Sequence, residues 1–309
     1  RSGLTASYFV VVSEKGLVGV KDLWLQDNPV SFSALLDDGK LFYWDNTGKN
    51  YSPALVAENV RSMCWDRSNG MIYYVLDDGT FFEYSRYYHT KTVRFADQFA
   101  GKKIDRLSAY SGSFYVLTAD GEVYAWGDNE NGQLGLGSTE EVKEPTKVPL
   151  ENVVDVSTCA TTFFLTEKNQ LYAAGEFNRK QNSTPVLLDE GVKSIGPVYS
   201  NSYYYYTEDG QIKYADNGTI TVISNAFSGM ETVAIGVRGR SIGIKDGRVY
   251  TIDENSQIKA IPMITDAKQV WTSARYGPTY YVATDSGLLY GFGYNNNNQF
   301  PGAPAGTDI

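Results

Sequence analysis

Residues Gly121–Gly137 read GEVYAWGDNENGQLGLG, with glycine at 121, 127, 132, 135 and 137 around an aromatic pair and a polar run. Glycine lets a backbone approach a phosphate closely, so a phosphate loop is the first chemistry to test. The order of the glycines excludes it. Gly132, Gly135 and Gly137 give G-x-x-G-x-G, the reverse of the dinucleotide fingerprint, and no Lys-Ser/Thr pair follows. A calcium loop fails as well: Asp128 and Glu130 suit ligand positions one and three, but Gly132 takes the fifth and Thr139 the place of the bidentate Glu. The remaining reading is that these glycines turn the chain.

The hairpin that opens the stretch recurs along the whole sequence, as SALLDDGKLFYW, YYVLDDGTFFEY, YVLTADGEVYAW, FFLTEKNQLYAA, YYYTEDGQIKYA, IGIKDGRVYTI and YVATDSGLLYGF. The turn positions are Gly39, Gly79, Gly121, Asn169, Gly210, Gly247 and Gly287, at intervals of 40, 42, 48, 41, 37 and 40 residues. Asn is the common substitute for Gly where φ is positive, so Asn169 fits the series. Asp-Gly between alternating runs predicts a two-residue primed turn. The second residue after each turn is apolar (Leu41, Phe81, Val123, Leu171, Ile212, Val249, Leu289). The third is aromatic (Phe42, Phe82, Tyr124, Tyr172, Tyr250, Tyr290) except at Lys213. Adjacent apolar positions imply strands covered on both faces, as between stacked sheets.

A weaker strand pair precedes each hairpin, for example PTKVPLENVVDVST and IPMITDAKQVWTS. Four short strands per repeat is the content of one propeller blade. The expected fold is therefore all-β, a seven-bladed β-propeller of 37–48-residue repeats forming a single domain over residues 1–309. The N-terminal SYFVVVSEKGLV is expected to supply strands that the C-terminal repeat lacks, closing the fold with both termini and leaving no open edge. A monomer is expected.

Hydrophobic content of 42% supports a large core, and the apolar runs are too short and too broken by charge to insert in a membrane. A net charge of −9 opposes binding to phosphate backbones, so no nucleic-acid partner is expected. Cys64 and Cys159 sit in apolar, strand-like surroundings that suit buried free thiols better than a disulfide. The 24 tyrosines, with abundant Asn and little Lys, suit an extracellular or cell-surface β protein. The chain begins at Arg1 and is expected to be a processed or excised segment.

Trp126, Gly127, Asn129, Gly132, Gln133, Leu134, Gly135 and Gly137 resemble a repeat of the regulator of chromosome condensation family. That repeat similarly ends one blade with W-G-x-N and enters the next through G-Q-L-G-x-G. WDNTG at Trp44, AGEFN at Ala174 and FGYNNNNQF at Phe292 keep only parts of the motif. The resemblance implies a seven-bladed propeller. Where the family usually carries a His eight residues before the hairpin Gly, this chain has Ser31, Met71, Ser113, Thr161, Ser202, Gly239 and Thr279. No residues match the founding member's nucleotide-exchange surface, so exchange activity is not carried over.

Catalytic chemistry is sparse. His89 is the single His, and no nucleophile elbow, HExxH or CxxC occurs, so neither a metal nor a cofactor is expected. The pairs Asp37–Asp38 and Asp77–Asp78 recur as hairpin-turn residues, while Glu140–Glu141 is a further adjacent pair. An alternative reading is a carbohydrate-active propeller enzyme using funnel carboxylates as acid and base. The favoured reading is a non-enzymatic interaction platform for a protein or cell-surface polymer. Its expected anchors lie in loops after the hairpins: Tyr87 and Tyr88 in SRYYH, Phe177 and Arg179 in EFNRKQN, Tyr294 and Phe300 in GYNNNNQF.

Overall fold

The structure is a computed structural model describing residues 10–11, 18–27, 30–45, 53–66, 68–85, 88–95, 98–99, 101–199, 202–216, 219–236, 241–252, 257–272 and 279–293. All of its regular structure is β. The strands are β1 (Val10–Val11), β2 (Val20–Asp27), β3 (Val30–Leu36), β4 (Leu41–Asp45) and β5 (Ala54–Ala57). Next come β6 (Val60–Asp66), β7 (Met71–Leu76), β8 (Phe81–Ser85), β9 (Thr90–Phe95), β10 (Ile104–Tyr110), β11 (Ser113–Thr118), β12 (Val123–Gly127) and β13 (Val142–Lys147). They are followed by β14 (Val153–Thr158), β15 (Thr161–Thr166), β16 (Leu171–Phe177), β17 (Lys180–Asp189), β18 (Val192–Tyr199), β19 (Ser202–Thr207), β20 (Ile212–Asp216) and β21 (Thr219–Ser224). The last are β22 (Thr232–Ala234), β23 (Ile242–Lys245), β24 (Arg248–Ile252), β25 (Ile258–Ile261), β26 (Ala267–Thr272), β27 (Thr279–Thr284) and β28 (Leu289–Gly293).

These strands form seven four-stranded sheets, six of them in simple chain order. The seventh runs β1-β28-β27-β26, with Val10 opposite Gly291 and Val11 opposite Tyr290. The N-terminal segment thus completes the C-terminal blade, as its sequence suggests. The protein is a seven-bladed β-propeller.

Every predicted hairpin position adopts positive φ, from 60° at Asn169 to 89° at Gly79. The turn type differs from the sequence expectation. In six hairpins the turn residue donates its N–H three positions back, as from Gly39 to the Leu36 carbonyl and from Gly121 to that of Thr118. These are three-residue loops, with an ordinary turn followed by one left-handed residue. Of these seven hairpins, Asp246-Gly247 alone, at φ 51° and 70° between the paired Lys245 and Arg248, makes the two-residue primed turn. One extra acidic or polar residue before the glycine in the other copies accounts for the difference.

Packing divides the chain into two compact units, one of residues 59–223 and one of residues 1–58 with 224–309. In the 59–223 unit, strand alternation sends neighbouring residues to opposite interfaces. On β15, Phe164 packs with Tyr115, Leu117, Val123 and Val156, whereas Phe163 and Leu165 pack with Val192, Tyr203 and Tyr205. This is why TTFFLT is continuously buried. Phe81, Phe95, Phe99 and Phe114 surround Trp126 with ring centroids 5.2–6.0 Å away. Tyr203 and Tyr205 share one face while Tyr204 lies tilted against Tyr214, so the tyrosine run is core and sheet interface.

The other unit repeats the pattern. Val20, Leu23 and Ala34 pack on Tyr281, Ala283 and Leu289, while Ile242, Ile244 and Val249 pack on Val270, Tyr280 and Val282. All seven apolar residues two positions past the hairpin turns are at most 2% exposed. The residues at the next position, including Lys213, are half-buried in every copy.

Candidate functional site

In a four-stranded meander the turn between the second and third strands lies at one end. The first-to-second and third-to-fourth connections lie at the other. Three of the anchor residues expected from the sequence are described, all in the 59–223 unit, and they lie at the second end. Tyr88, between β8 and β9, is 81% exposed. Near it, Tyr84 is buried and its Oη lies 2.9 Å from His89 Nδ1. Burial raises the Tyr84 phenol above its ordinary pKa, so it stays protonated. His89 itself is exposed and takes φ 51° to close the loop.

Arg179 is exposed in a two-residue turn, Asn178-Arg179, with φ 53° and 60° between the paired Phe177 and Lys180. Phe177 departs from the expectation. It is 6% exposed and packs among Phe163, Val192 and Tyr203, so it is a core residue and cannot anchor a partner. The cause is that β16 runs two residues beyond the AGEFN glycine, and alternation there points Glu176 outward and Phe177 inward. Tyr87, Tyr294 and Phe300 lie outside the described residues.

The glycine-rich loop after β12 is closed on itself. Asn129, 1% exposed, donates from Nδ2 to the carbonyls of Ser138 (2.9 Å) and Glu140 (3.0 Å) and accepts from the Leu134 N–H (3.0 Å). Gln133 Nε2 donates to Asp128 O (2.9 Å) and Ser113 Oγ (3.1 Å), and its Oε1 accepts from the Asn131 N–H. Gly137 donates to the Ser183 carbonyl on β17, and a Cβ on Gly132 would stand 2.8 Å from Ser183 Cα. The donors a phosphate would need are used within the protein. The sequence reads this loop as leading from one blade into the next, but it joins β12 to β13 of the same sheet and packs against β17 of the neighbouring sheet. Ser113 and Thr161 occupy the position of the family's His, and their hydroxyls donate to the carbonyls of Asp128 and Glu176 at the exits of β12 and β16.

One buried carboxylate at this end was not singled out by the sequence reading. Asp66 Oδ1 accepts from Ser68 N–H (2.9 Å), Ser68 Oγ (2.7 Å) and Ser111 N–H (2.9 Å). Its Oδ2 accepts from Asn69 Nδ2 (3.1 Å) and Gly112 N–H (3.2 Å). The Asp-x-Ser spacing of residues 66–68 is the local sign of such a turn. The bonds to Ser111 and Gly112 clip it to the next sheet.

The carboxylate pairs at the opposite end have turn roles. Asp38 accepts from the Lys40 side chain and backbone, and both hold its carboxyl below the usual range. Asp78 accepts from the Thr80 N–H at 2.9 Å, which lowers its pKa likewise. Glu140 and Glu141 are exposed in the loop after β12. A small cavity of about 200 Å³ is lined by Arg61, Leu76, Asp77, Lys103 and Ile104. Arg61 is the bulged residue of β6 and donates from Nε to the Ile104 carbonyl. Cys64 and Cys159 are both buried, and no disulfide joins them. Among the described residues no group of three or more His, Cys, Asp or Glu is placed to hold a metal ion.

Residues 120–162 match the family described as Regulator of chromosome condensation (RCC1) repeat, and residues 104–133 match a second description of the same repeat. The chain is similar to the Ultraviolet-B receptor UVR8 of Arabidopsis thaliana, at 25% identity over 64% of this chain and 55% of the receptor. It therefore spans about half the length of that relative. Among solved structures it resembles Prp20p from Saccharomyces cerevisiae, whose structure was described with its binding properties to Gsp1p and histones. That likeness has a TM-score of 0.54 and 14% identity over 84% of this chain and 80% of Prp20p. It also resembles PorZ, described as an essential bacterial surface component of the type-IX secretion system of Porphyromonas gingivalis. There the TM-score is 0.59, with 14% identity over 97% of this chain and 40% of PorZ. At such identities the structural likenesses speak for the fold alone. The matches place regulator of chromosome condensation (RCC1) repeat sequence at residues 104–162 of a chain whose strands form a β-propeller of seven four-stranded blades.

Proposed function

We propose that the chain is a non-enzymatic platform that binds a protein partner through the loop end of its sheets, with Tyr88 and Arg179 as anchors. The observation that carries this reading is Tyr88: a large aromatic side chain, 81% exposed, next to the Tyr84–His89 contact. A pre-positioned aromatic loses little freedom on binding, and Tyr and Arg dominate measured hot spots. Prp20p, of similar fold, is described as binding Gsp1p and histones, which supports a protein as the class of partner. A cell-surface polymer is the finer alternative for the same surface. An extracellular or cell-surface setting belongs to the same proposal; it rests on the tyrosine-rich composition, and PorZ offers a surface-located example of the fold.

The test is capture of partners from the surface fraction of the source cell, followed by titration of the purified partner. Wild type, Tyr88→Ala and Arg179→Ala would be compared after thermal melts show all three folded. Loss of affinity of tenfold or more in either variant, about 1.4 kcal/mol, is expected. If both variants bind within about threefold of wild type, under ~1 kcal/mol, the loop end is not the contact surface.

A further inference from the structure

Strand β21 reads TITVIS and forms the outer edge of its sheet. Thr219 through Val222 are all exposed, with Ile220 at 47% and Val222 at 45%. An outer strand presents unpaired backbone groups, and proteins ordinarily protect such edges with charge or proline. The other three outer strands of the same unit follow that rule. β9 carries Lys91 and Arg94, β13 carries Lys143, Glu144, Pro145 and Lys147, and β17 carries Lys180, Pro185 and Asp189. β21 has neither a charge nor a proline, and five of its six residues are β-branched.

We propose that β21 is a self-association edge, on which a second copy of this chain docks by antiparallel β21-to-β21 pairing. This goes beyond the loop-end reading, uses a different surface and revises the expected monomer. What fits an uncharged, β-branched edge is another uncharged, β-branched edge, and this chain carries one. With the two-fold axis at Thr221, Ile220 of one copy lies opposite Val222 of the other. Both such pairs fall on one face because residues i and i+2 share a side.

Charge favours this edge over other approaches. Two chains of net charge −9 repel each other, but β21 itself brings no charge into contact. Six residues of edge per copy bury less than the roughly 1,200 Å² of a stable interface, so the dimer is weak and reversible. Added salt screens the repulsion and strengthens it.

Sedimentation velocity of the full chain from roughly 1 μM to 1 mM, at low and high salt, tests the proposal. The expected result is an average mass that rises toward a dimer with concentration, more steeply at high salt. Val222→Lys should hold the chain monomeric. Leu55→Lys adds the same charge at an exposed residue of β5 and should leave the association unchanged, with melting curves confirming that both variants fold. A monomer throughout the range overturns the proposal. So does association that Val222→Lys leaves intact, equal loss in both lysine variants, or aggregation that dilution does not reverse.

Discussion

Val153 donates its backbone N–H to the carbonyl oxygen of Gly121 across 3.0 Å. Gly121 ends the hairpin turn of one sheet, and Val153 opens the first strand of the next. The same bond joins Val192 to Asn169 and Ala267 to Gly247, each at 2.8 Å, and Gly19 to Gly287 at 3.1 Å. The residue with positive φ therefore does two things at once. It reverses the chain, and it aims a carbonyl that would otherwise lack a partner at the neighbouring sheet.

Gly121→Ala should be far more damaging than a left-handed backbone alone would make it. At Gly121, φ is +81° and an added Cβ would stand 2.8 Å from Asn152 Cα. At Gly101, φ is +78° but nothing lies within 4 Å of an added Cβ. The backbone term is about 1–2 kcal/mol at either site. Overlap with the next sheet adds roughly 1–3 kcal/mol at Gly121 only. Urea unfolding of the two variants measures the difference, and equal losses would mean the sheets do not approach as closely as described.

Asp66→Ala should loosen the joint between the sheets of β6 and β10. It strips the Ser111 and Gly112 amides of their acceptor, and leaving such groups unpaired costs about 1–3 kcal/mol each. A total loss of about 3 kcal/mol is expected. Hydrogen exchange at Ser111 and Gly112 should accelerate more than in the centre of β11. Unchanged protection at both amides would show that the carboxylate does not hold them.

Glu122 should titrate far below an ordinary carboxylate. Bonds from Lys147, Tyr124 and Lys102 bring its pKa from 4.5 to about 2. The folded value lies below the unfolded one, so the stabilisation is complete above pH 4.5 and disappears as pH falls through about 2. The group is solvent-accessible, so its contribution is small and weakens with salt. Carboxyl NMR should show the low midpoint in wild type and a higher one in Lys147→Ala. A wild-type midpoint near 4.5 would mean that the three partners do not engage it in solution.

The sequence carried the architecture because its signals are local. A left-handed turn needs Gly or Asn, and a strand buried on both faces needs adjacent apolar residues, so Gly79 with Phe81 or Asn169 with Leu171 declare themselves. The Asp-Gly pattern overstated the primed turn, since turn type depends on where pairing resumes. The candidate site was harder to read. Phe177 and Tyr88 are both aromatics in polar surroundings, and only the number of residues β16 and β8 run before turning decides which is buried. Asp66 was invisible as a clip because two of its donors come from residues 45 and 46 positions away.

That contrast supplies the sharpest test of the candidate surface. Phe177 is 6% exposed within a core of Phe163, Tyr203 and Ala215, so Phe177→Ala removes buried ring area and leaves a cavity. Such truncations cost about 3–5 kcal/mol. Tyr88, 81% exposed, should change stability by no more than about 0.5 kcal/mol when replaced by Ala. Binding should show the reverse order. At a temperature where the Phe177→Ala chain is still folded, its affinity for a captured partner should match wild type, while Tyr88→Ala weakens it. If Tyr88→Ala lowers the melting temperature as much as Phe177→Ala does, the tyrosine is folded onto the sheet edge in solution. The loop between β8 and β9 would then be part of the scaffold instead of its contact surface.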